Sequence, residues 1–171
     1  PQIRPEPKEG EPRYRFQWNS PVVISTHDPK TIYYGGNFLF KSADRGDTWV
    51  KLGGDLTTAV DRDKLPILGK EPGKETLSRH DGVSEYPSIT TISESPLSSA
   101  VLWAGTDDGN LQVTRDAGKT WTNIAERVPG VPKGTYVSRV VASRAAEGTA
   151  YVAFDAHRGN DFHKYLYATS D

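Results

Sequence analysis

A polar stretch at residues 53–86 contains side chains that could bind a charged ligand. Arginine pairs with carboxylates and other anions through its guanidinium fork, and histidine exchanges a proton near neutral pH. Arg79 is therefore a candidate anion anchor and His80 a candidate proton shuttle. A hydrogen-bonded loop corner would use the same residue types, so both interpretations stay open. The predicted ligand-binding residues are Arg79, His80, Asp81, Glu85 and Tyr86.

A second segment is rich in residue types that bind metal ions. Asp155, His157, Asp161 and His163 could ligate zinc or calcium. Their spacing matches no metal motif, and the segment is also typical of a hairpin turn. The run Asp-Asp-Gly-Asn at 107–110 lacks the alternating ligands of a calcium loop and predicts a turn. We therefore expect no metal ion and no cofactor.

Glycoside hydrolysis would need two carboxyl groups held at a defined separation. The chain has 22 acidic residues, so their presence alone decides nothing. Glu85 and Tyr86 are adjacent, and on a strand their side chains would face opposite ways. The sequence contains no Gly-x-Ser-x-Gly, His-Glu-x-x-His or phosphate-binding loop motif. The catalytic residues are accordingly unknown from the sequence.

A repeated motif indicates which elements position these residues. Residues 42–49 read Ser-Ala-Asp-Arg-Gly-Asp-Thr-Trp, and residues 114–121 read Thr-Arg-Asp-Ala-Gly-Lys-Thr-Trp. The shared pattern is Ser/Thr-x-Asp-x-Gly-x-Thr-Trp, and residues 169–171 repeat its beginning. Each copy follows three short apolar runs separated by turn residues, which predicts strands linked by turns and hairpins. A fourth strand is predicted at 48–52 and at 120–124.

The Asp of this motif is predicted to have a structural role. Its carboxylate and the preceding hydroxyl can both bond backbone groups inside a turn. Glycine permits an unusual backbone angle, and tryptophan supplies a large apolar face. A catalytic acid is needed once or twice, whereas this Asp recurs in each repeat. The predicted structural residues are Ser42, Asp44, Gly46, Thr48, Trp49, Thr114, Asp116, Gly118, Thr120, Trp121, Thr169 and Asp171.

The motif resembles the Asp box, or bacterial neuraminidase repeat, of β-propeller proteins. Such repeats occur in sialidases, xyloglucan-active glycosidases, photosystem assembly factors and sortilin-type domains. Residues 14–171 are most similar to sortilin-like propellers of large secreted bacterial proteins, often labelled glycosyl hydrolases. The stretches 18–21, 27–29, 78–80 and 136–139 carry that similarity. The resemblance implies an all-β propeller in an extracellular or periplasmic location. The Arg-Ile-Pro element of sialidases and the Gly-rich first blade of xyloglucan-active enzymes are not found.

Length and composition agree with a turn-rich repeat protein. The 171 residues include 16 Gly, 12 Pro, no Cys and no Met, and the formal net charge is −1. Without cysteine there are no disulfides, and no basic stripe for nucleic acid is visible. The spacing predicts about two and three-quarter four-stranded blades of a longer propeller. The predicted domains are a Pro- and charge-rich linker or loop (1–15), blade 1 (16–52), an insertion loop (53–86), blade 2 (87–125) and blade 3 (126–171).

The leading hypothesis from the sequence is a binding or scaffolding module for a protein, peptide or glycan. The alternative is part of a glycoside hydrolase whose catalytic carboxylates lie partly outside this chain. The expected partners are the remainder of a longer propeller chain or complementary chains, with no nucleic acid and no membrane span. A weak helical pattern is present only at 57–64.

Overall fold

The computed structural model describes residues 3–67, 69–73, 75–77 and 85–170, which fold into three antiparallel sheets. The first sheet consists of β1 (Val22–Ile24), β2 (Ile32–Gly35), β3 (Leu39–Ser42) and β4 (Val50–Lys51). The second consists of β5 (Ile89–Ser95), β6 (Ser98–Thr106), β7 (Leu111–Thr114) and β8 (Thr122–Asn123). The third consists of β9 (Tyr136–Ala142), β10 (Thr149–Asp155) and β11 (Tyr165–Ser170). The predicted all-β fold class is confirmed.

Each sheet is a meander in which every strand pairs with its neighbour in sequence. The inner strands contain aliphatic and aromatic residues and are largely buried, as expected for a sheet covered on both faces. Tyr33 in β2 and Trp103 in β6 occupy equivalent positions, and each is only 1% exposed. Apolar clusters then fill the space between the first and second sheets and between the second and third.

Two equivalent glycines allow the sheets to approach closely. A Cβ atom on Gly35 would lie 2.9 Å from Cγ2 of Ile89, on the first strand of the next sheet. A Cβ atom on Gly105 would collide with the side chain of Val137, again on the first strand of the next sheet. The same interface is therefore repeated along the chain.

The meander separates the connections into two groups, because alternate turns of antiparallel strands lie at the same end of a sheet. We call the turns 43–49 and 115–121 the Asp boxes, after the repeat that their sequence motif resembles, and we call the end that contains them the Asp-box end. The opposite end, which we call the loop end, contains the described residues that connect the first two sheets at 53–58 and 85–88, the β6–β7 turn at 107–110 and residues 156–164. The chain also enters β1 from the loop end. Glu85 and Tyr86, the described residues of the predicted ligand-binding set, thus lie at the end opposite the Asp boxes.

Residues 3–15 contain no helix or strand, yet part of this segment is packed. Tyr14 is buried, with its ring centroid 4.9 Å from that of Phe40 and 5.7 Å from that of Phe38. Lys51 Nζ lies 4.7 Å from the centre of the Tyr14 ring. Aromatic contacts of this kind anchor the segment on the first sheet. The division into a linker, three blades and an insertion stays a prediction.

The described residues contain helix only as single 3₁₀ turns. These are Arg62–Lys64, Ala125–Arg127 and His157–Gly159. The helical pattern noted at 57–64 therefore yields one turn, with Asp61 accepting a hydrogen bond from the backbone N–H of Asp63. No helix in the described part of the chain has the length and apolar character needed to cross a membrane.

Candidate functional site

Two of the five predicted ligand-binding residues can be placed. Arg79, His80 and Asp81 lie outside the described residues. Glu85 forms an ion pair with Arg13 over 3.6 Å. Tyr86 is half-buried near two carboxyl groups. Burial, together with the charges of Asp108 and Asp107, raises the pKa of Tyr86 to about 12. Tyr86 therefore keeps its proton at physiological pH.

The first Asp box is closed by side-chain hydrogen bonds. Ser42 Oγ accepts a hydrogen bond from the N–H of Gly46 at 2.7 Å and donates one to Asp44 Oδ1. Asp44 then accepts hydrogen bonds from the N–H of Thr48 at 2.8 Å and from its hydroxyl at 2.6 Å. The bonds from Thr48 and Ser42 lower the pKa of Asp44 to about 2. Both oxygens of this carboxylate are occupied within the turn.

The second Asp box repeats this geometry. Thr114 Oγ1 accepts from the N–H of Gly118, and Asp116 accepts from the N–H and hydroxyl of Thr120. The pKa of Asp116 is likewise lowered to about 2 by these bonds. Trp121 Nε1 donates at 3.0 Å to the carbonyl of Leu52, which directly follows the last strand of the preceding sheet. The box therefore also contacts the neighbouring sheet. Of the third copy, Thr169 lies in β11, and Asp171 is outside the described residues.

The turn geometry includes one feature that the sequence motif does not reveal. Arg45 (φ 65°) and Ala117 (φ 60°), which precede the box glycines, are also left-handed. Each turn therefore has two consecutive residues with positive φ, of which only the second, Gly46 (φ 98°) or Gly118 (φ 88°), is a glycine. Non-glycine residues in this region are uncommon, and the surrounding hydrogen bonds hold them there.

At the loop end, the beginning of the 53–86 stretch is bonded to both neighbouring sheets. Arg15 Nη2 donates to Asp55 Oδ2 at 2.7 Å, and Arg15 Nε donates to the carbonyl of Pro87 at 2.9 Å. Thr58 donates to Asp108 Oδ2 through its N–H at 2.7 Å and through its hydroxyl at 2.6 Å. This part of the stretch is consequently an ordered connection between sheets and not a solvated crossover.

Asp107 is a buried carboxyl group at the centre of this end. Burial raises its pKa from 3.8 to about 7. The hydrogen bond from the N–H of Ser88 opposes the shift, and the nearby Asp108 charge adds to it. Ser88 N–H donates to Asp107 Oδ1 at 2.8 Å, and Gln17 Nε2 donates to Oδ2. A carboxyl group with this pKa is about half protonated at neutral pH. Such groups are common in functional sites.

A cavity of about 510 Å³ opens beside Asp107, and Tyr86, Asp155 and Asp161 also line it. Unlike Asp107, the carboxyl groups of Asp155 and Asp161 are ionised. Hydrogen bonds from His157 lower the pKa of Asp155. Bonds from the backbone N–H of His163 and from the hydroxyl of Tyr165 lower that of Asp161 to about 2. The cavity therefore contains one carboxyl group that can carry a proton at neutral pH and two that are ionised.

The sequence pattern predicts a turn at residues 107–110 and does not indicate that the pKa of Asp107 is raised. The one available signal is its position directly after β6, a strand of mainly apolar residues. Burial of its carboxyl group depends on Gln17 and Ser88, which are 90 and 19 residues away in the chain. Spacing along the sequence cannot reveal such a pocket.

The four residues that resembled metal ligands form two separate pairs. His157 Nδ1 contacts Asp155 Oδ1 at 2.6 Å, and His163 Nδ1 contacts Asp161 Oδ1 at 2.6 Å. Within residues 3–67, 69–73, 75–77 and 85–170, no group of three or more acidic or histidine side chains is arranged to hold a metal ion. Each pair instead closes a short turn.

Comparison with solved structures identifies the architecture as part of a β-propeller. A GH74 enzyme from Niastella koreensis aligns with a TM-score of 0.53 at 16% identity, covering 90% of this chain and 21% of that chain. An ancestral GH74 enzyme gives a TM-score of 0.53 at 11% identity, covering 87% of this chain and 16% of that one. At such identities the similarity shows the fold alone.

Two curated proteins are similar in sequence, and no protein-family model matches the chain. The oligoxyloglucan-reducing end-specific xyloglucanase of Emericella nidulans is 27% identical over 158 residues, which is 88% of this chain and 16% of that enzyme. A probable enzyme of the same name from Neosartorya fischeri is 27% identical over 139 residues, covering 77% of this chain and 14% of the relative. The chain thus spans about a sixth or less of the length of these relatives.

Proposed function

We propose that this chain is a portion of a β-propeller glycoside hydrolase and that its loop end faces a polysaccharide. The carrying observation is the cavity in which Asp107, with a pKa of about 7, lies with the ionised Asp155 and Asp161. Environments that push the pKa values of neighbouring carboxyl groups apart separate an acid from a base. The names of the two curated relatives support xyloglucan as the substrate class.

In this proposal Asp107 is the general acid. Its proton passes to the oxygen of the glycosidic bond as the bond to the sugar carbon breaks. Asp155 is the ionised partner, which takes a proton from the attacking water. It is a better candidate than Asp161, because its bonds to His157 use Oδ1 only, whereas both oxygens of Asp161 accept hydrogen bonds. Carboxylates outside this chain could complete the site.

Binding without hydrolysis is the second candidate function. Asp107 accepts hydrogen bonds from Ser88 and Gln17, so it also links the segment before β1 to the second sheet. If the only role of Asp107 is to make this link, it takes no part in hydrolysis. The loop end is then a surface for a protein, peptide or glycan. Arg79, which lies outside the described residues, stays the anion anchor expected from the sequence.

The remaining expectations from the sequence are proposals of the same kind. The Asp-box residues stabilise turns, as their hydrogen bonds support. The partners are the rest of a longer propeller chain or complementary chains, and the small fraction of each relative that is covered supports this. We also propose an extracellular or periplasmic location and a sortilin-like origin of the repeats.

Hydrolysis of xyloglucan oligosaccharides, followed by the release of new reducing ends, tests the enzymatic proposal. We expect Asp107→Asn to lower kcat by about 100-fold or more, because it removes the general acid. In the native protein the rate should fall as the pH rises above about 7, because Asp107 then loses its proton. Asp44→Asn and Asp116→Asn, at the Asp-box end, are controls for folding. Full activity of Asp107→Asn would exclude the mechanism, and a native protein that hydrolyses nothing would favour the binding function.

A further inference from the structure

The third sheet has one covered face and one uncovered face. Val140, Val152 and Phe154 belong to the apolar cluster that this sheet shares with the second one. Because side chains alternate along a strand, their neighbours lie on the opposite side, which we call the outer face. Its large apolar side chains are 44%, 51% and 72% exposed and belong to Val141, Tyr151 and Leu166. A contiguous apolar patch of this kind in water marks an interaction surface.

The outer face repeats a pattern that is buried in the other two sheets. In each sheet an aromatic residue of the second strand is followed two positions later by a small residue, which pairs with a leucine of the third strand. The three sets are, in sheet order, Tyr33–Gly35–Leu39, Trp103–Gly105–Leu111 and Tyr151–Ala153–Leu166. The aromatic and leucine side chains of the first two sets are at most 2% exposed. The following sheet covers the first two sets, whereas the third set is bare.

We propose that the outer face of the third sheet is a docking surface for a further antiparallel sheet of a longer propeller chain. This inference rests on the proposed function, from which it takes the longer chain. The two interfaces within the described residues show how this surface is covered: the first strand of the following sheet lies against the small residue of each buried set. The greater length of the curated relatives leaves room for such a sheet.

Tyr151 requires a hydrogen-bond acceptor on the covering sheet. In the first interface the hydroxyl of Tyr33 donates to Glu94 Oε1 of the second sheet at 2.9 Å. In the second interface Trp103 replaces the tyrosine, and Ala142 stands at the position that corresponds to Glu94. A buried tyrosine hydroxyl needs a partner. We therefore expect the covering sheet to carry a glutamate or another acceptor at this position.

Ala153 limits the size of the residue that faces it. A Cβ atom on Gly35 would lie 2.9 Å from Cγ2 of Ile89, and one on Gly105 would lie 2.3 Å from Cγ1 of Val137. Ala153 already carries this methyl group, so a β-branched residue at the corresponding position would collide with it. We expect glycine, alanine or serine at that position of the covering strand.

A second copy of this chain fits the surface less well. The uncovered first strand of a copy would bring Ile24 to the position that Glu94 occupies in the first interface. The hydroxyl of Tyr151 would then be buried without an acceptor, which is unfavourable. On the same face of the first sheet, the ring of Tyr14 packs against Phe40 and restricts access. A further sheet of the longer chain is therefore the better occupant.

Thermal unfolding of the full-length natural protein tests the surface. Leu166→Asp should lower the midpoint by about 5 °C or more, because it places a charge within a covered apolar face. The matched control is Leu97→Asp, in the β5–β6 turn outside this face, which should change the midpoint little because Leu97 is half-exposed. Tyr151→Phe should lower the midpoint about as much as Tyr33→Phe, because each variant leaves a buried acceptor without its donor.

Equal midpoints for Leu166→Asp and Leu97→Asp would overturn the docking surface, and an unchanged midpoint for Tyr151→Phe would overturn the predicted acceptor. Sedimentation measures whether a second copy occupies the face. If Leu166→Asp converts a dimer into a monomer, the occupant is a second copy and the proposal is wrong. The catalytic proposal fails separately, because full hydrolysis by Asp107→Asn would leave the effect of Leu166→Asp on stability intact.

Discussion

At the scale of single residues, aspartate has opposite chemistry at the two ends of the molecule. Asp44 and Asp116 are only partly buried and accept several hydrogen bonds, and their pKa values fall to about 2. Asp107 is buried, and its pKa rises to about 7. Donors stabilise the charged form, whereas loss of water destabilises it. The environment, and not the residue type, therefore separates the turn-closing acids from the candidate catalytic one.

Replacing an Asp-box carboxylate tests its structural role. Asp44→Ala should lower the midpoint of thermal unfolding by roughly 2–6 °C, because the N–H and hydroxyl of Thr48 lose their acceptor. Asp47→Ala, in the same turn but exposed, is the matched control and should change little. The lowered pKa means that the stabilisation is present above about pH 4 and is lost as the pH falls through about 2. Equal midpoints for both variants at neutral pH would refute the role.

At the scale of elements, one interface between neighbouring sheets is repeated. In both copies a glycine of the second strand faces the first strand of the next sheet. Gly35 faces Ile89, and Gly105 faces Val137. The apolar clusters on either side depend on this approach. The glycines are therefore a requirement of packing between sheets.

Gly105→Ala should be strongly destabilising for this reason. The added methyl group would collide with Val137 and Thr91, and overpacking of this kind costs about 1–3 kcal/mol. Gly54→Ala is the control, because a Cβ atom there meets nothing within 4 Å. Urea unfolding measures both variants. A Gly105→Ala protein as stable as Gly54→Ala would mean that the sheets can separate without cost.

At the scale of the whole molecule, buried polar contacts join the sheets at both ends. At the Asp-box end, Glu94 of the second sheet is 6% exposed. It accepts hydrogen bonds from the hydroxyl of Tyr33 at 2.9 Å and from the N–H of Thr26 at 2.7 Å, both in the first sheet or its turns. At the loop end, Arg15 before the first sheet donates through Nε to the carbonyl of Pro87, just before the second sheet, at 2.9 Å. These contacts hold the sheets in one relative orientation.

Removal of Glu94 tests this link. Glu94→Ala should destabilise the protein by about 2–4 kcal/mol, because the buried hydroxyls of Tyr33 and Ser25 lose their partner. Glu126→Ala, at an exposed position, should be nearly neutral. The measurement is the free energy of unfolding in urea. If the two variants matched, the contact would contribute nothing net to holding the sheets together.

Much of the fold was predictable, and much of the candidate site was not. The strands around Tyr33 and Trp103 follow from alternating apolar runs and turn residues that are close in sequence. The Asp boxes follow from a motif that is eight residues long. The motif does not show that Arg45 and Ala117 adopt left-handed backbone angles. Arg79 and His80 were predicted as site residues because their side chains can bind an anion and exchange a proton. Asp107 was not, because its unusual pKa comes from burial.

The sequence by itself determined the repeats, the strand order within each sheet and the turn chemistry, because these depend on neighbours a few residues apart. Only the tertiary structure decided which loops share an end and which acid loses its water. Asp107 is buried by partners from distant parts of the chain. Contacts across such separations form only when the sheets pack, so no local pattern encodes them.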